Sequence, residues 1–187
     1  MNIYALCDQD LIDKNNITVD KFVEIAKKYD AKIIQYRNKT ADISFIKQQL
    51  IKIRQNFDGF LIVNDAYELV EFCDGVHVGQ EDLKAIDEDV VRAVKILRGV
   101  INNDKLLGIS THNEIEVIQA NDMDLNYIGL GAYRDTSTKT DISGVLGDDL
   151  DVIASKSKHL VAAIGGVRLD DKFNNIEYHV IGSGLLK

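Results

Sequence analysis

Two polar clusters, Asn64-Asp65 and Gly79-Gln80-Glu81-Asp82, each close a short apolar run, Phe60 to Val63 and Gly75 to Val78. Apolar runs of this length bounded by turn-forming residues read as buried strands. Leu69, Val70 and Cys73 sit between them at helical spacing and read as a crossover. Strand, crossover and strand make a right-handed parallel unit, so both clusters fall at the same C-terminal sheet edge. Neighbouring strands lie about 5 Å apart. Asp65 and Asp82 are therefore expected to converge on one hard cation.

Cations gather nearby. Lys32 to Arg37 reads as a strand in which Ile33, Gln35 and Arg37 share one face, with Lys39 two residues further on. A strand that starts apolar and ends polar suits a barrel interior that opens at its top; an exposed strand end with solvated charges gives the same pattern. The stretch from Gly131 to Gly147 has neither helical nor strand period. A loop this long is a lid, a binding loop or a flexible segment, and its hydroxyls with Lys139 favour an anion. Gly165-Gly166 and Gly182-Ser183-Gly184 could offer backbone N–H groups to a small phosphate. Two carboxylates with several cations suit a diphosphate held by Mg²⁺ on one side and by Arg and Lys on the other.

The elements that must position these groups are read in chain order. Further strands are expected at Ile3 to Cys7, Lys105 to Ile109, Asn126 to Leu130, Leu160 to Ile164 and Glu177 to Ile181. Thr18 is placed to cap a helix carrying Phe22, Ala26 and Tyr29 on one face. Ile43, Ile46, Leu50, Ile53 and Phe57 recur at spacings of three and four, an amphipathic helix. Val90, Ala93, Val94 and Leu97 mark another, with Gly99 in the left-handed capping role. Asn113 to Ala120 is expected to turn Ile115 and Ile118 inward, and Asp148-Asp149-Leu150-Asp151 reads as a helix N-terminus. Alternation of eight strands with helices predicts one domain, a (β/α)₈ TIM barrel. It is a shortened one, because typical barrels have about 250 residues. Arg168 to Ile176 is too short for a crossover helix, and nothing long follows the eighth strand. Outer helices around strands seven and eight should be incomplete, leaving wall for a homodimer to cover.

Bulk composition narrows the classes of function. The 187 residues are 45% hydrophobic and 28% charged, with a net charge of −8, no proline and two cysteines. That charge argues against a nucleic-acid backbone as partner. No apolar run approaches the ~20 residues of a membrane span. Cys7 and Cys73 lie in apolar surroundings and show no disulfide or zinc pattern, so a cytoplasmic protein is expected.

Taken together, the polar strand ends resemble the thiamine phosphate synthase family. Gln35-Tyr36-Arg37-Asn38-Lys39 is similar to its Gln-x-Arg-x-Lys strand end, and Val63-Asn64-Asp65 to its Asn-Asp. Asp74-Gly75-Val76-His77-Val78-Gly79-Gln80-Glu81-Asp82 is similar to its most recognisable stretch. Gly108-Ile109-Ser110-Thr111-His112, Thr136-Ser137-Thr138-Lys139 and Ile164-Gly165-Gly166-Val167 follow in the family's order.

The resemblance implies a transferase that joins hydroxymethylpyrimidine diphosphate to thiazole phosphate and releases pyrophosphate, the diphosphate leaving first. It implies Mg²⁺ on Asp65 and Asp82, and the diphosphate on Arg37, Lys39, Asn64 and Lys139. Gln35 would read the pyrimidine, and Ser110 would lie near the reacting centre. Thr136, Thr138, Gly166, Gly182 and Ser183 would receive the thiazole phosphate. Three features depart from the family: Gly131-Ala132-Tyr133-Arg134 replaces a Gly-Pro run, Gly182-Ser183-Gly184 replaces a Ser-Ala ending, and the final helix is missing. All three concern the thiazole side. A thiazole tautomerase of the same superfamily, and a non-catalytic paralogue that binds a thiamine precursor, are the competing readings. His77 reads as a buried hydrogen-bonded group, His112 as a helix cap, and His159 and His179 as structural.

Overall fold

The computed structural model describes residues 1–135 and 144–187. Its strands are β1 (Asn2–Asp8), β2 (Ile33–Arg37), β3 (Phe60–Asn64), β4 (Gly75–Val78), β5 (Leu106–Thr111), β6 (Tyr127–Leu130), β7 (Leu160–Ala163) and β8 (Tyr178–Ile181). Each pairs in parallel with the next, and β8 returns to β1, with Tyr4 opposite Val180, so the barrel closes. Parallel strands buried on both faces read as continuous apolar runs. The period of two separates the faces. Tyr4, Ile33, Ile62, Tyr127, Ala162 and Val180 fill the inside. Ile34, Tyr36, Leu61, Val63 and Val76 pack outward in the second core layer.

That outer layer is held by α1 (Gln9–Lys14), α2 (Val19–Lys28), α3 (Ile43–Asn56), α4 (Gln80–Ile86), α5 (Val90–Val100), α6 (Glu114–Ala120) and α7 (Asp149–Ala154). Thr18 caps α2 as expected, its hydroxyl accepting from the Lys21 N–H at 3.2 Å. Phe22, Val23 and Ala26 of α2 and Ile46, Leu50 and Ile53 of α3 point into the core. A six-residue 3₁₀ segment, Tyr67–Phe72, supplies the crossover between β3 and β4.

Two sequence expectations need correction. Gly99 does not cap α5: it lies inside the helix, which continues to Val100. Ile101 is buried beside Leu97 and donates its N–H to the Leu97 carbonyl at 2.9 Å, which carries the helix past the glycine. Nor do Ile115 and Ile118 face inward, at 78% and 50% exposed; α6 buries Val117 and Ala120 instead. Both pairs are spaced by three, so periodicity does not choose between them. The Asn113 cap, accepting from the Glu116 N–H at 2.9 Å, helps fix the rotation.

Between β7 and β8 there is no helix, as the short connection predicts. The wall there is not bare, however. Leu169, Phe173 and Ile176 pack onto the core, and the Phe173 ring meets Tyr133 at 5.0 Å and His179 at 5.1 Å. Three apolar side chains from an irregular segment do the covering that a helix does elsewhere. A 3₁₀ turn, Ser183–Leu186, follows β8 and buries Leu185. Among the described residues no helix is long and apolar enough to cross a membrane.

Candidate active site

The C-terminal ends of β2, β3 and β4 bring charge to one edge of the mouth. Lys39, just beyond β2, donates to Asp65 Oδ2 at 2.5 Å and to Asp82 Oδ2 at 3.2 Å. Asn64, the last residue of β3, donates from Nδ2 to Asp65, and the Gly79 N–H donates to Asp65 Oδ1 at 3.1 Å. Asp65 has φ 61°, a left-handed conformation that Asp tolerates better than most residues. Asp82 stands in the first turn of α4, where the helix dipole favours a carboxylate. A Cβ on Gly79 would come within 2.9 Å of Asp82 Oδ2, so glycine leaves the carboxylate its place. Burial disfavours the charged Lys39 ammonium, but Asp65 and Asp82 outweigh it and raise the Lys39 pKa.

Asp65 and Asp82 thus already share one cation, the ammonium of Lys39. Their donors are all oxygens, which fits a hard divalent ion. Among the described residues no group of three or more His, Cys, Asp or Glu could hold a metal. An ion on this pair would take its remaining ligands from substrate and water, as Mg²⁺ commonly does.

Below the mouth a hydrogen-bonded chain crosses the barrel interior. Gln35 Nε2 donates to the Tyr4 hydroxyl at 2.6 Å, which meets the Tyr127 hydroxyl at 2.9 Å. Tyr127 lies 3.1 Å from His77 Nδ1, and His77 Nε2 lies 3.0 Å from Ser110 Oγ. Each phenol has one proton to give. With Gln35 donating first, those protons run from Tyr4 to Tyr127 and from Tyr127 to Nδ1. His77 is then assigned the tautomer with hydrogen on Nε2, donating to Ser110. Burial pushes both phenols well above their ordinary range, so they remain donors. Gly108 makes room for Tyr127: a Cβ there would lie 2.2 Å from the ring. Ser110 is also tied through its carbonyl, which accepts from Gln80 Nε2 at 2.6 Å.

On the opposite side of the mouth a cavity is lined by Leu6, Asp8, Arg37, Gly165, Gly166, Gly182 and Ser183, among others. Arg37 pairs with the buried carboxylate of Asp8, which also accepts from the Leu11 N–H at 3.2 Å. Arg37 therefore stands between this cavity and the barrel interior, whose lining it also joins. Gly165 and Gly166 have φ of 83° and 71°, and a Cβ on either would come within 2.7 Å of Ala132 or Arg134. Only glycine suits both the dihedrals and the space.

Gln35, Arg37, Lys39, Asn64, Asp65, Asp82 and Ser110 thus meet at one end of the barrel, and Gly166, Gly182 and Ser183 line the adjoining cavity. Thr136, Thr138 and Lys139 lie outside the described residues. His77 is buried and hydrogen-bonded as expected. His112 pairs with Glu116 at 3.0 Å beside the α6 cap, and His159 is tied to the Ala120 carbonyl at 2.8 Å. Sequence reasoning missed Asp8, Tyr4 and Tyr127. The period of two could have found them, since Tyr4 and Asp8 share the inward face of β1, and Tyr127 begins a strand next to the Ser110 strand.

The chain matches the family model described as "Thiamine monophosphate synthase" over residues 3–182. It is 33% identical to the thiamine-phosphate synthase of Ruminiclostridium cellulolyticum, over 90% of this chain and 78% of that one. It is likewise 33% identical to that of Clostridium botulinum, over 94% and 80%. The fold is similar to that of a thiamine phosphate pyrophosphorylase from Pyrococcus furiosus, at a TM-score of 0.77 and 22% identity, over 97% of this chain and 85% of that one.

Proposed function

The chain belongs to the thiamine monophosphate synthase family, and we propose that it joins hydroxymethylpyrimidine diphosphate to thiazole phosphate, releasing pyrophosphate. The observation that carries this reading is the convergence of Lys39, Asn64, Asp65 and Asp82 above the chain from Gln35 to Ser110. A charged clamp over a hydrogen-bonding barrel interior suits a diphosphate joined to a polar heterocycle. A tautomerase needs only the thiazole phosphate cavity, and the clamp would then have no task.

In this reading Lys39, Asn64 and Arg37 bind the diphosphate, joined by Lys139 as the family resemblance implies. Gln35 reads the pyrimidine edge, and Ser110, oriented by His77, lies beside the methylene carbon. Asp65 and Asp82 would hold Mg²⁺, which supplies positive charge to the leaving diphosphate. Carbon–oxygen cleavage sends the bonding pair to that diphosphate, and the thiazole nitrogen lone pair then forms the carbon–nitrogen bond. No proton is lost at either centre, which agrees with a site rich in donors and poor in bases. Catalysis then rests on electrostatics and positioning. Gly166, Gly182 and Ser183, with Thr136 and Thr138, receive the thiazole phosphate.

A cytoplasmic homodimer completes the proposal. Two buried free cysteines suit a reducing compartment, and exposed Ile115, Ile118 and Val152 offer apolar surface for a second copy. Titration calorimetry with each substrate alone tests the site. Mg²⁺-dependent binding of the pyrimidine diphosphate is expected. Tight thiazole phosphate binding with no affinity for the diphosphate would point to the tautomerase.

A further inference from the structure

Arg134 is one of the residues that depart from the family pattern, and it is among the most heavily bonded side chains of the mouth. Its Nη1 and Nη2 each donate to the Asp171 carboxylate at 2.7 Å, a bidentate pair. Nη1 also donates to the Gly166 carbonyl at 2.9 Å, and the Arg134 N–H donates to the Gly165 carbonyl at 2.8 Å. Asp171 is only 9% exposed and accepts in addition from the Arg168 N–H at 2.8 Å. The guanidinium lies 4.2 Å from the Tyr133 ring centre. One side chain thus ties the exit of β6 to the turn after β7 and to the connection into β8.

That turn is Gly165-Gly166, two consecutive residues with positive φ. Paired glycines are the least self-constrained backbone a chain can have, and fixing them costs the most entropy. Their shape must come from outside: the backbone N–H of Arg134 holds the Gly165 carbonyl, and the Arg134 guanidinium adds the Gly166 carbonyl and anchors itself on Asp171. The fit is mutual, since a Cβ on Gly166 would lie 2.7 Å from Arg134 Cβ.

We propose that Arg134 and Asp171 are positioning residues that hold the Gly165-Gly166 backbone ready for a phosphate monoester, and so set affinity for thiazole phosphate but not for the pyrimidine diphosphate. The identity of the monoester rests on the function proposed above; the phosphate-holding role does not. Selectivity follows from topology. The clamp sits on β6, β7 and β8, whereas the carboxylate–lysine cluster sits on β2, β3 and β4 across the closed barrel.

Asp171→Asn keeps the shape of the side chain and removes its charge, and Arg134→Lys keeps the charge and removes the fork. Steady-state kinetics with each substrate varied in turn, and calorimetric titration with inorganic phosphate, read the effect; near-UV circular dichroism confirms folding. Each variant is expected to raise KM for thiazole phosphate about tenfold, or ~1.4 kcal/mol. Inorganic phosphate should weaken by a similar factor, while KM for the pyrimidine diphosphate stays within about twofold. If one variant fails to fold, the other carries the test. Unchanged thiazole phosphate and inorganic phosphate binding in a folded variant overturns the proposal, and so does a parallel rise in both KM values. A wild type without turnover whose phosphate affinity still falls with the clamp would refute the proposed reaction and uphold the clamp.

Discussion

Replacing Tyr127 with Phe removes one oxygen from the middle of the chain that runs from Gln35 to Ser110. The ring should stay where it is, because it packs over Gly108 and stacks on His77 at 5.5 Å. Two contacts go: the 2.9 Å bond to Tyr4 and the 3.1 Å bond to His77 Nδ1. Tyr4 keeps Gln35 as a donor but loses the acceptor of its own proton. His77 keeps Ser110 but loses the donor that fixes its tautomer. Leaving a buried polar group unsatisfied costs about 1–3 kcal/mol, and part of this is offset by the apolar gain of Phe. A net loss of ~2 kcal/mol is expected, which for a chain of this size lowers Tm by about 4–8 °C. Thermal unfolding measures it. Turnover should fall with it, because the Ser110 hydroxyl is no longer oriented through Nε2. A Tm within about 1 °C of wild type with unchanged turnover would refute the ordered chain.

Asp65→Ala and Asp82→Ala should each abolish Mg²⁺-dependent binding of the diphosphate in calorimetry and leave the circular dichroism spectrum native. Gly108→Ala drives a Cβ to 2.2 Å from the Tyr127 ring, and overpacking of this kind costs about 1–3 kcal/mol, measurable by urea unfolding. Arg134 holds the Asp171 carboxyl below its ordinary value of 3.8. A depressed carboxyl stabilises the fold above its unfolded pKa and loses that contribution as pH falls through its folded pKa. The margin of wild type over Asp171→Asn should therefore persist at neutral pH and shrink below about pH 4. Sedimentation at micromolar concentration should show a dimer, and Ile115→Lys on the exposed α6 face should weaken it.

Much of this architecture was legible before any coordinates. Short apolar runs marked all eight strands, most of them closed by Asn, Asp or Gly, because a strand buried on both faces reads as a continuous apolar run. Lys39, Asp65 and Asp82 could be brought together from sequence because parallel strands place their ends on one edge. What stayed hidden depends on pairings between distant residues. Tyr4 and Tyr127 look like core filler until their hydroxyls are seen to meet 123 positions apart. Asp8 ends a strand with no turn cluster to mark it, and its carboxylate finds its partners in the distant Arg37 guanidinium and the Leu11 N–H. Arg134 and Asp171 are 37 residues apart, in segments without period, so nothing local announces the clamp. The inward face of α6 was misread because Ile115/Ile118 and Val117/Ala120 have the same spacing.

The claim that the clamp and the interior chain together form a synthase site is tested most directly by turnover. Purified protein is incubated with hydroxymethylpyrimidine diphosphate, thiazole phosphate and Mg²⁺, and thiamine phosphate and pyrophosphate are quantified together. The account predicts both products in equal amounts, with formation lost on chelation of the metal and in Asp65→Ala. Folded wild-type protein that binds both substrates yet forms neither product would contradict it.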